Sequence, residues 1–281
     1  MAINLASKFS KKVDEAFARD SIAKLVTNSE YSFEGVKTVN IYSIPVVALN
    51  DYNREGASNR YGNPAELQNA VQTCTIEKDR GWTFTIDKGN KTQSEMVMDA
   101  GKAAARQMKM AVIPEYDAHV FKKIAIAACE TEGHSATAAI TKSNAYEEFL
   151  KAQEILGDEN VPDEGRVCLC SYAFAGKLKQ DPAFMRDCDT AQNMQIKGML
   201  GEVDGAKLIR VPSSRLPEGC DFILCHPIAT VAPQQLNEYK IHTDAPGISG
   251  WLVEGRILYD AFVLNNKKSA VFYHGASAVT E

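Results

Sequence analysis

The C-terminal part of the chain constrains the fold most, because two β-rich runs stand there on either side of a polar turn. Residues 252–264 read LVEGRILYDAFVL and residues 269–274 read SAVFYH, with NNKK between them. Asparagine and lysine between two such runs are typical of a hairpin turn. We therefore predict that the two runs pair as a β-hairpin and that the main sheet is built partly from the C-terminus. Residues 201–217, with two glycines and a closing proline, predict a further strand.

The length and composition place the chain among self-sufficient globular proteins. A chain of 281 residues buries about three quarters of the surface that its unfolded form exposes, so it needs no disulfide or metal to fold. Its apolar runs are all shorter than the roughly 18 residues of a membrane span. The first residues lack the apolar stretch of a secretory signal, so we expect the protein to stay in the cytosol. The seven cysteines, an odd number without framework spacing, favour a reducing compartment.

The charge balance argues against a protein that grips nucleic acid directly. The formal net charge is −5, whereas binding to phosphates requires a clustered basic surface. Lys8, Lys11 and Lys12 form the one local concentration of basic residues in the sequence, and a solvated helix start explains it. Any contact with DNA is expected to be weak or indirect.

The first ninety residues predict a helix, three strands and one long excursion. Residues 10–28 have a thin apolar stripe that includes Phe17, typical of an arm that docks elsewhere or of a plain surface helix. Residues 36–44 predict a strand that ends at Pro45. Residues 49–68 concentrate turn formers without a hydrophobic period, which indicates a functional or disordered loop. Residues 71–76 and 82–87 alternate, with Trp82 on the apolar face, and predict a hairpin turning at 78–81.

The middle of the chain predicts a long helix followed by alternating helices and strands. Apolar residues recur at steps of three and four over 94–131, and Pro114 predicts a kink within that helix. A helix capped by Asn144 is expected to end at Gly157. A buried strand over 166–171 and a helix over 172–180 follow. Residues 136–227 therefore predict a separate subdomain inserted between two parts of another.

The search for chemistry is mostly negative. Cys168 and Cys170 share one face of a strand, and Cys220, Cys225 and His226 complete a conceivable cluster. The spacing does not match structural zinc sites, so buried free thiols are the favoured interpretation. The sequence contains no G-x-S-x-G elbow and no glycine-rich phosphate loop. These findings predict a structural protein without cofactor, metal site or catalytic residues.

Two sets of polar residues complete this search without yielding a site. The remaining histidines stand apart from any cysteine in sequence, and four acidic residues lie among turn formers where a solvated carboxylate is expected. These residues are His119, His134, His242 and His274, and Asp51, Glu55, Glu66 and Asp79.

Several blocks, taken in order, resemble the major capsid proteins of tailed bacteriophages with the Hong Kong 97-like fold. The blocks include INLASKFSKKVD at 3–14, GVKTVNIYSIP at 35–45 and IPEYD at 113–117, together with residues 80–89, 201–217 and 250–268. The resemblance implies an α+β fold with an N-terminal arm, an E-loop hairpin, a long spine helix, a peripheral domain and an inserted axial domain. The implied limits are 1–34 for the arm, 35–49 for the first peripheral segment, 50–84 for the E-loop, 85–135 for the peripheral segment with the spine helix, 136–227 for the axial domain and 228–281 for the C-terminal peripheral strands.

The resemblance also implies a function and partners. The chain would assemble into hexamers and pentamers that close as the icosahedral head of a double-stranded DNA phage, made in the host cytoplasm. The arm begins within a few residues of Met1, which leaves no room for an N-terminal scaffolding segment, so we expect a separate scaffolding protein. The other expected partners are a portal and, optionally, a decoration protein. We expect only weak contact with DNA and none with a membrane. Lys78 is the one lysine of 50–84 and lies at the inner turn, so we expect no isopeptide cross-link between subunits. Candidate intersubunit contacts are Arg54, Arg60, Tyr61, Trp82 and Phe17.

Two alternatives stay open at this point. An encapsulin-like bacterial compartment would use the same fold to hold a cargo enzyme, and its particles would contain protein instead of DNA. A cytosolic α/β enzyme would use Cys168, Cys170 or His226, and alkylation of its thiols would abolish an activity.

Overall fold

The computed structural model describes residues 20–31, 33, 37–56, 58–64, 66–89, 100–187, 201–243 and 245–280. Phe17, most of the predicted N-terminal arm and the start of the predicted long helix lie outside the described residues. The described strands form four sheets, of six, three, two and two strands. No helix among the described residues has the length and apolar character that crossing a membrane requires.

A two-stranded antiparallel hairpin projects from the first third of the chain. Strand β1 (Thr38–Ser43) pairs with β2 (Ala70–Thr75), and residues 44–69 connect them. The strand predicted over 36–44 is therefore present. The predicted pairing of 71–76 with 82–87 is wrong, because β2 takes β1 as its partner. Alternation shows that a segment is a strand, but it does not identify the strand that it pairs with.

A three-stranded antiparallel sheet follows, with β11 (Gly250–Tyr259) between β10 (Gln234–His242) and β3 (Lys78–Asp87). Trp82 and Phe84 are half-buried, Ile86 is buried, and their neighbours are exposed, which confirms the predicted alternation. Residues 78–81 belong to β3 and make no turn.

The predicted C-terminal hairpin is also wrong. Residues 265–268 lie in a 3-10 helix, Asn265–Ala270, that leads the chain to another sheet. Both edges of β11 are already hydrogen-bonded, to β10 and β3, so the last strand finds its partners elsewhere. Strands β9 (Thr230–Val231) and β12 (Phe262–Val263) form a separate short antiparallel pair.

The long helix is continuous over residues 100–130 but changes its winding in the middle. Helix α1 (Ala100–Gln107) passes through a π-helical turn, Met108–Val112, into α2 (Ile113–Glu130). Pro114 occupies the first turn of α2, where its missing N–H removes a hydrogen bond from the preceding turn. The irregularity expected at Pro114 therefore occurs as a π turn directly before it. Ala100 and Ala104 of α1 pack on Ile86 and Val253 of the three-stranded sheet.

The strands of the six-stranded sheet are, in spatial order, β4 (Ser135–Ala136), β13 (Val271–Gly275), β8 (Cys220–Cys225), β5 (Arg166–Ser171), β7 (Ala206–Val211) and β6 (Glu202–Val203). Every residue of its strand β5 is buried, as the sequence predicts. The parallel partners β5 and β7 both contact helix α4 (Tyr172–Gln180), which belongs to the connection between them. The helices of this region are α3 (Ala145–Asp158), α4 (Tyr172–Gln180) and α5 (Pro182–Asp187).

Two local details of this region differ from the predictions. Asn144 precedes α3, yet its side chain accepts from the Thr141 N–H at 2.6 Å, and the N–H of Tyr146 is bound at 3.0 Å by Asp181 from a distant loop. Residues 202–211 form two strands with a turn at Asp204 and Gly205, both at positive φ. That conformation suits an Asp-Gly hairpin turn.

The limits of the domains remain a prediction, and strand pairing adds two facts about them. Residues 78–84 lie in the three-stranded sheet and not in the hairpin of β1 and β2. Strand β13, at the end of the chain, pairs with β8 and β4 of the six-stranded sheet.

Candidate assembly surfaces

The hairpin of residues 38–75, called the apolar hairpin below, exposes an unusual number of large apolar side chains. Val46 is 97% exposed, and Leu49 is fully exposed. Exposed apolar patches on globular proteins are typical of interaction sites, so the apolar hairpin is a candidate assembly surface. Its exposed large apolar residues are Tyr42, Ile44, Val46, Val47, Leu49, Tyr52, Tyr61, Leu67 and Val71.

The tip of the apolar hairpin is a closed loop and not a structureless excursion. The N–H of Asn53 donates to the carbonyl of Arg60 at 3.0 Å, and Nε of Arg60 donates to the carbonyl of Gly56 at 2.6 Å. Tyr52 and Tyr61 meet edge to face with ring centroids 4.9 Å apart. Hydrogen bonds within the loop and the aromatic pair thus close the tip on itself.

The predicted contact residues lie in two separate places. Tyr61 is 84% exposed and Arg54 is exposed at the tip, while Arg60 uses part of its guanidinium inside the loop. Trp82 lies on the three-stranded sheet, where it stacks on Phe84 with centroids 5.7 Å apart.

Trp82 is packed within its own subunit. It faces Gly255 of the neighbouring strand so closely that a Cβ at residue 255 would lie 2.3 Å from its ring. Part of the Trp82 ring remains accessible to solvent. The alternation of residues 82–87, which drew attention to Trp82, reflects the apolar face of β3.

A buried carboxylate fixes the point where the apolar hairpin joins the body. Asp260 accepts from the N–H of Glu77 at 3.0 Å and from the N–H of Ala261 at 2.9 Å, and it contacts Nε2 of His119 at 2.8 Å. Burial raises the pKa of the Asp260 carboxyl, but the hydrogen bonds from His119, Ala261 and Glu77 outweigh burial and hold its pKa below the usual value. The network joins α2, the β2–β3 junction and the end of β11.

A side chain of β2 makes a second attachment. Gln72 donates from Nε2 to the carbonyl of Val263 at 3.0 Å and accepts the N–H of Asn265 at 2.8 Å. The base of the apolar hairpin is therefore held by hydrogen bonds while its tip stands free of the described body.

A second buried carboxylate fixes the segment that leads to the N-terminal residues. Asp117 of α2 is fully buried and accepts from Oγ of Ser21 at 2.7 Å, from the N–H of Ile22 at 3.0 Å and from the N–H of Ala23 at 3.2 Å. It also pairs with Nη1 of the buried Arg215 at 2.8 Å. Sequence reasoning missed both Asp117 and Asp260, because all their partners except Ala261 lie about a hundred residues or more away in the chain.

The cysteine cluster does not have the character of a nucleophilic site. Cys168, Cys170, Cys220 and Cys225 are all buried. Burial raises the pKa of Cys170 and of Cys225 to about 12, so both remain thiols at neutral pH. A reactive cysteine requires a lowered pKa and access to substrate. The structure therefore supports the interpretation of these residues as buried free thiols.

Both ring nitrogens of His226, which follows Cys225 in the chain, contact backbone groups. Nε2 of His226 contacts the carbonyl of Glu164 at 3.1 Å, and Nδ1 accepts the N–H of Ile228 at 3.2 Å. The described residues contain no group of three or more histidine, cysteine and acidic side chains placed to hold a metal ion.

Two surface grooves have the volumes of small clefts. One of about 170 Å³ lies between Trp82 and the π-helical turn, and one of about 130 Å³ lies at the base of the apolar hairpin. Pockets for small-molecule ligands typically measure about 300–1,000 Å³. Neither groove has the size of a cofactor site.

Comparison with known proteins places this architecture. No protein-family model matches the chain, and no curated relative matches its sequence. Solved structures match along nearly the whole length. A structure from Mycobacterium phage Che8 is 18% identical with a TM-score of 0.79, covering 96% of both chains. The capsid structure of Cyanophage P-SCSP1u is 15% identical with a TM-score of 0.78, covering 97% of this chain and 93% of the other.

A third example comes from the mature capsid of bacteriophage PhiM1, at 12% identity and a TM-score of 0.73, covering 97% of this chain and 92% of the other. Identities this low show a common fold and no more. The α+β capsid fold expected from the sequence is confirmed, and the chain shares its fold with phage capsid structures over nearly its whole length.

Proposed function

We propose that this chain is the major capsid protein of a tailed double-stranded DNA phage. One observation carries the proposal: a chain with the phage capsid fold holds an apolar hairpin away from its own body. Burying a large apolar side chain contributes roughly 1.5–3 kcal/mol, so covering this surface yields on the order of 10 kcal/mol before the costs of association. Other copies of the chain would supply the cover.

The proposed assembly is a closed shell of hexamers and pentamers. The apolar hairpin of one subunit lies on the next subunit in a heterologous contact, and contacts of this kind generate rings. Tyr61 and Arg54 at the tip, the accessible edge of Trp82, and Arg60 and Phe17 are the proposed contact residues. The domain limits implied by the resemblance belong to this proposal, with the E-loop represented by the apolar hairpin.

The proposal extends to partners and location. A separate scaffolding protein and a portal would assist assembly in the bacterial cytoplasm, with a decoration protein as an optional partner. The product would be the virion head. The net charge of −5 supports weak contact with packaged DNA. We propose no catalytic role, which the buried thiols and the occupied His226 support, and no cross-link through Lys78.

Electron microscopy of a matched pair of variants tests the proposal. Leu49→Asp places a charge where no contact within the described chain is lost, so the free subunit should keep its stability within about 0.5 kcal/mol. Leu49→Met keeps the apolar surface. We expect wild type and Leu49→Met, expressed with the neighbouring genes of their source genome, to give closed shells, and Leu49→Asp to remain as small oligomers.

The contents of the shells separate virus from compartment, because heads package DNA whereas an encapsulin-like shell holds protein. Shells formed equally well by Leu49→Asp would overturn the role given to the apolar hairpin. Failure of the wild type to form any shell under these conditions would overturn the proposed function.

A further inference from the structure

The larger of the two surface grooves, called the π-turn groove below, has the size of one aromatic side chain. It is lined by residues of β3, of β11 and of the helix around the π-helical turn Met108–Val112, and its volume is about 170 Å³. An apolar cavity of about 150 Å³ accommodates one benzene molecule. The π-turn groove therefore has room for a single six-membered ring.

The inner lining of the π-turn groove is apolar. Val112 and Ile257 are buried, and the half-buried ring of Trp82 lines the same groove. Ala111, on the π-helical turn, is exposed, and its short side chain leaves the groove open. Single π turns within α-helices occur frequently at functional sites. The lining is thus suited to an apolar ring supplied by another molecule.

A carboxylate with spare hydrogen-bonding capacity stands at the mouth of the π-turn groove. Glu115 is exposed, and its Oε1 accepts from Nε of Arg80 at 2.7 Å and from the hydroxyl of Tyr259 at 3.2 Å. No described residue donates a hydrogen bond to its Oε2. A tyrosine has an apolar ring and a hydroxyl donor at the end of that ring. An apolar lining with a free acceptor at its mouth therefore favours a tyrosine over a phenylalanine.

The apolar hairpin presents such a side chain. Tyr61, at the tip, is 84% exposed and is the most exposed aromatic residue of the described chain. The tip around it is closed by the bond from Asn53 to Arg60 and by the edge-to-face contact with Tyr52. A loop closed on itself loses less freedom when it binds. No described residue of the apolar hairpin lines the π-turn groove of the same chain, so a Tyr61 in this groove would come from another copy.

We propose that the π-turn groove receives Tyr61 of a second copy of this chain. The ring packs against Trp82, and its hydroxyl donates to Oε2 of Glu115. The inference rests on the proposed function, because it requires the apolar hairpin of one subunit to lie on the next. It makes Tyr61 and Trp82 the two halves of one heterologous contact, which repeats from subunit to subunit around a ring. An aromatic anchor in a fitted pocket is typical of the residues that dominate an interface.

Photo-cross-linking of assembled shells tests the contact. Replacement of Tyr61 by p-azidophenylalanine keeps the aromatic ring and adds a small photoreactive group. The variant is expressed with the neighbouring genes of its source genome, and the shells are irradiated. We expect ladders of linked chains on a denaturing gel, with the links located by mass spectrometry within residues 80–82 and 107–115. The same replacement at Tyr172, which is 55% exposed at the start of α4, is the control and should give no link to these ranges.

The two proposals fail in different ways in this experiment. Shells whose links from residue 61 all lie outside residues 80–82 and 107–115 would overturn the contact and leave the proposed function intact. Failure of the wild type to form any shell would overturn both.

A pair of leucine variants decides the matter even if the photoreactive variant does not assemble. Ala111→Leu fills the π-turn groove from an exposed position, whereas Ala105→Leu places the same side chain at an exposed position of the same helix that does not line the groove. We expect Ala111→Leu to lower the yield of shells about tenfold or more, and Ala105→Leu to leave it unchanged. Urea midpoints of the two purified subunits should agree, which shows that folding is intact. Equal yields of shells from the two variants would overturn the contact.

Discussion

Replacing Asp117 by alanine is expected to destabilise the subunit severely. The carboxylate is fully buried and serves four donors: Arg215 at 2.8 Å, the hydroxyl of Ser21 at 2.7 Å and the N–H groups of Ile22 and Ala23 at 3.0 and 3.2 Å. The alanine variant leaves the buried guanidinium without its carboxylate and two backbone donors without an acceptor. Breaking a buried pair in this way costs about 3–5 kcal/mol.

This loss is a large share of the total stability, because a folded domain is stable by only about 5–15 kcal/mol. Urea unfolding of the purified chain, followed by circular dichroism, measures the loss as a shift of the midpoint at constant slope. Asp117→Asn retains an oxygen acceptor and is the variant to measure if Asp117→Ala does not fold.

Asp79→Ala is the matched control. Asp79 pairs with Arg256 through two hydrogen bonds, one of them 2.9 Å long, but both side chains are roughly half exposed. An exposed pair contributes about 0–1 kcal/mol. If the variants at residues 117 and 79 lose similar stability, burial is not what makes the Asp117 pair important and the reasoning is wrong.

Two further predictions concern packing and the thiols. Gly255→Ala should lower the free energy of unfolding in urea by about 1–3 kcal/mol, because the new Cβ would meet the Trp82 ring. The control Gly176→Ala lies in a helix with open space around it and should raise the free energy of unfolding by about 0.5–1 kcal/mol. Equal effects of the two changes would contradict the close contact at Gly255. Burial raises the pKa of Cys170 and Cys225 to about 12, so above about pH 9 the unfolded chain loses thiol protons that the folded chain keeps. Stability should then fall with rising pH, and less steeply in a variant with both residues changed to alanine; parallel profiles would contradict burial of these thiols.

Local patterns predicted most of the elements correctly. The alternation of residues 82–87, the buried run 166–171 and the helical spacing of 172–180 all describe how one segment divides between core and solvent. That division depends on the period of the backbone and on the apolarity of each side chain, and both are properties of the segment itself.

The errors share one physical cause. Both wrong hairpins joined a strand to the next strand along the chain. Instead, β2 pairs with β1 across a connection of 26 residues, 44–69, and the two edges of β11 are taken by β10, which precedes it, and by the distant β3. A strand's hydrogen-bonding edge carries the same N–H and C=O groups whatever its sequence, so pairing is decided by which edges remain free in the assembled sheet.

The candidate surfaces divide in the same way. The sequence predicted that residues 49–68 leave the core, and the contact role that it suggested for Tyr61 stays a prediction. It did not show that the tip is a closed loop or that Trp82 packs on its own strand partner Gly255.

By itself, the sequence determined the period and polarity of each segment, and hence many of the helices and strands and the excursion that became the apolar hairpin, while the α+β class came from the resemblance of its blocks to a known family. Only the tertiary structure decided the strand partners and the buried polar contacts of Asp117 and Asp260. The physical reason is distance along the chain: Asp117 and Arg215 are separated by 98 residues and His119 and Asp260 by 141. A contact of this kind exists only when the fold brings its two groups together and removes them from water.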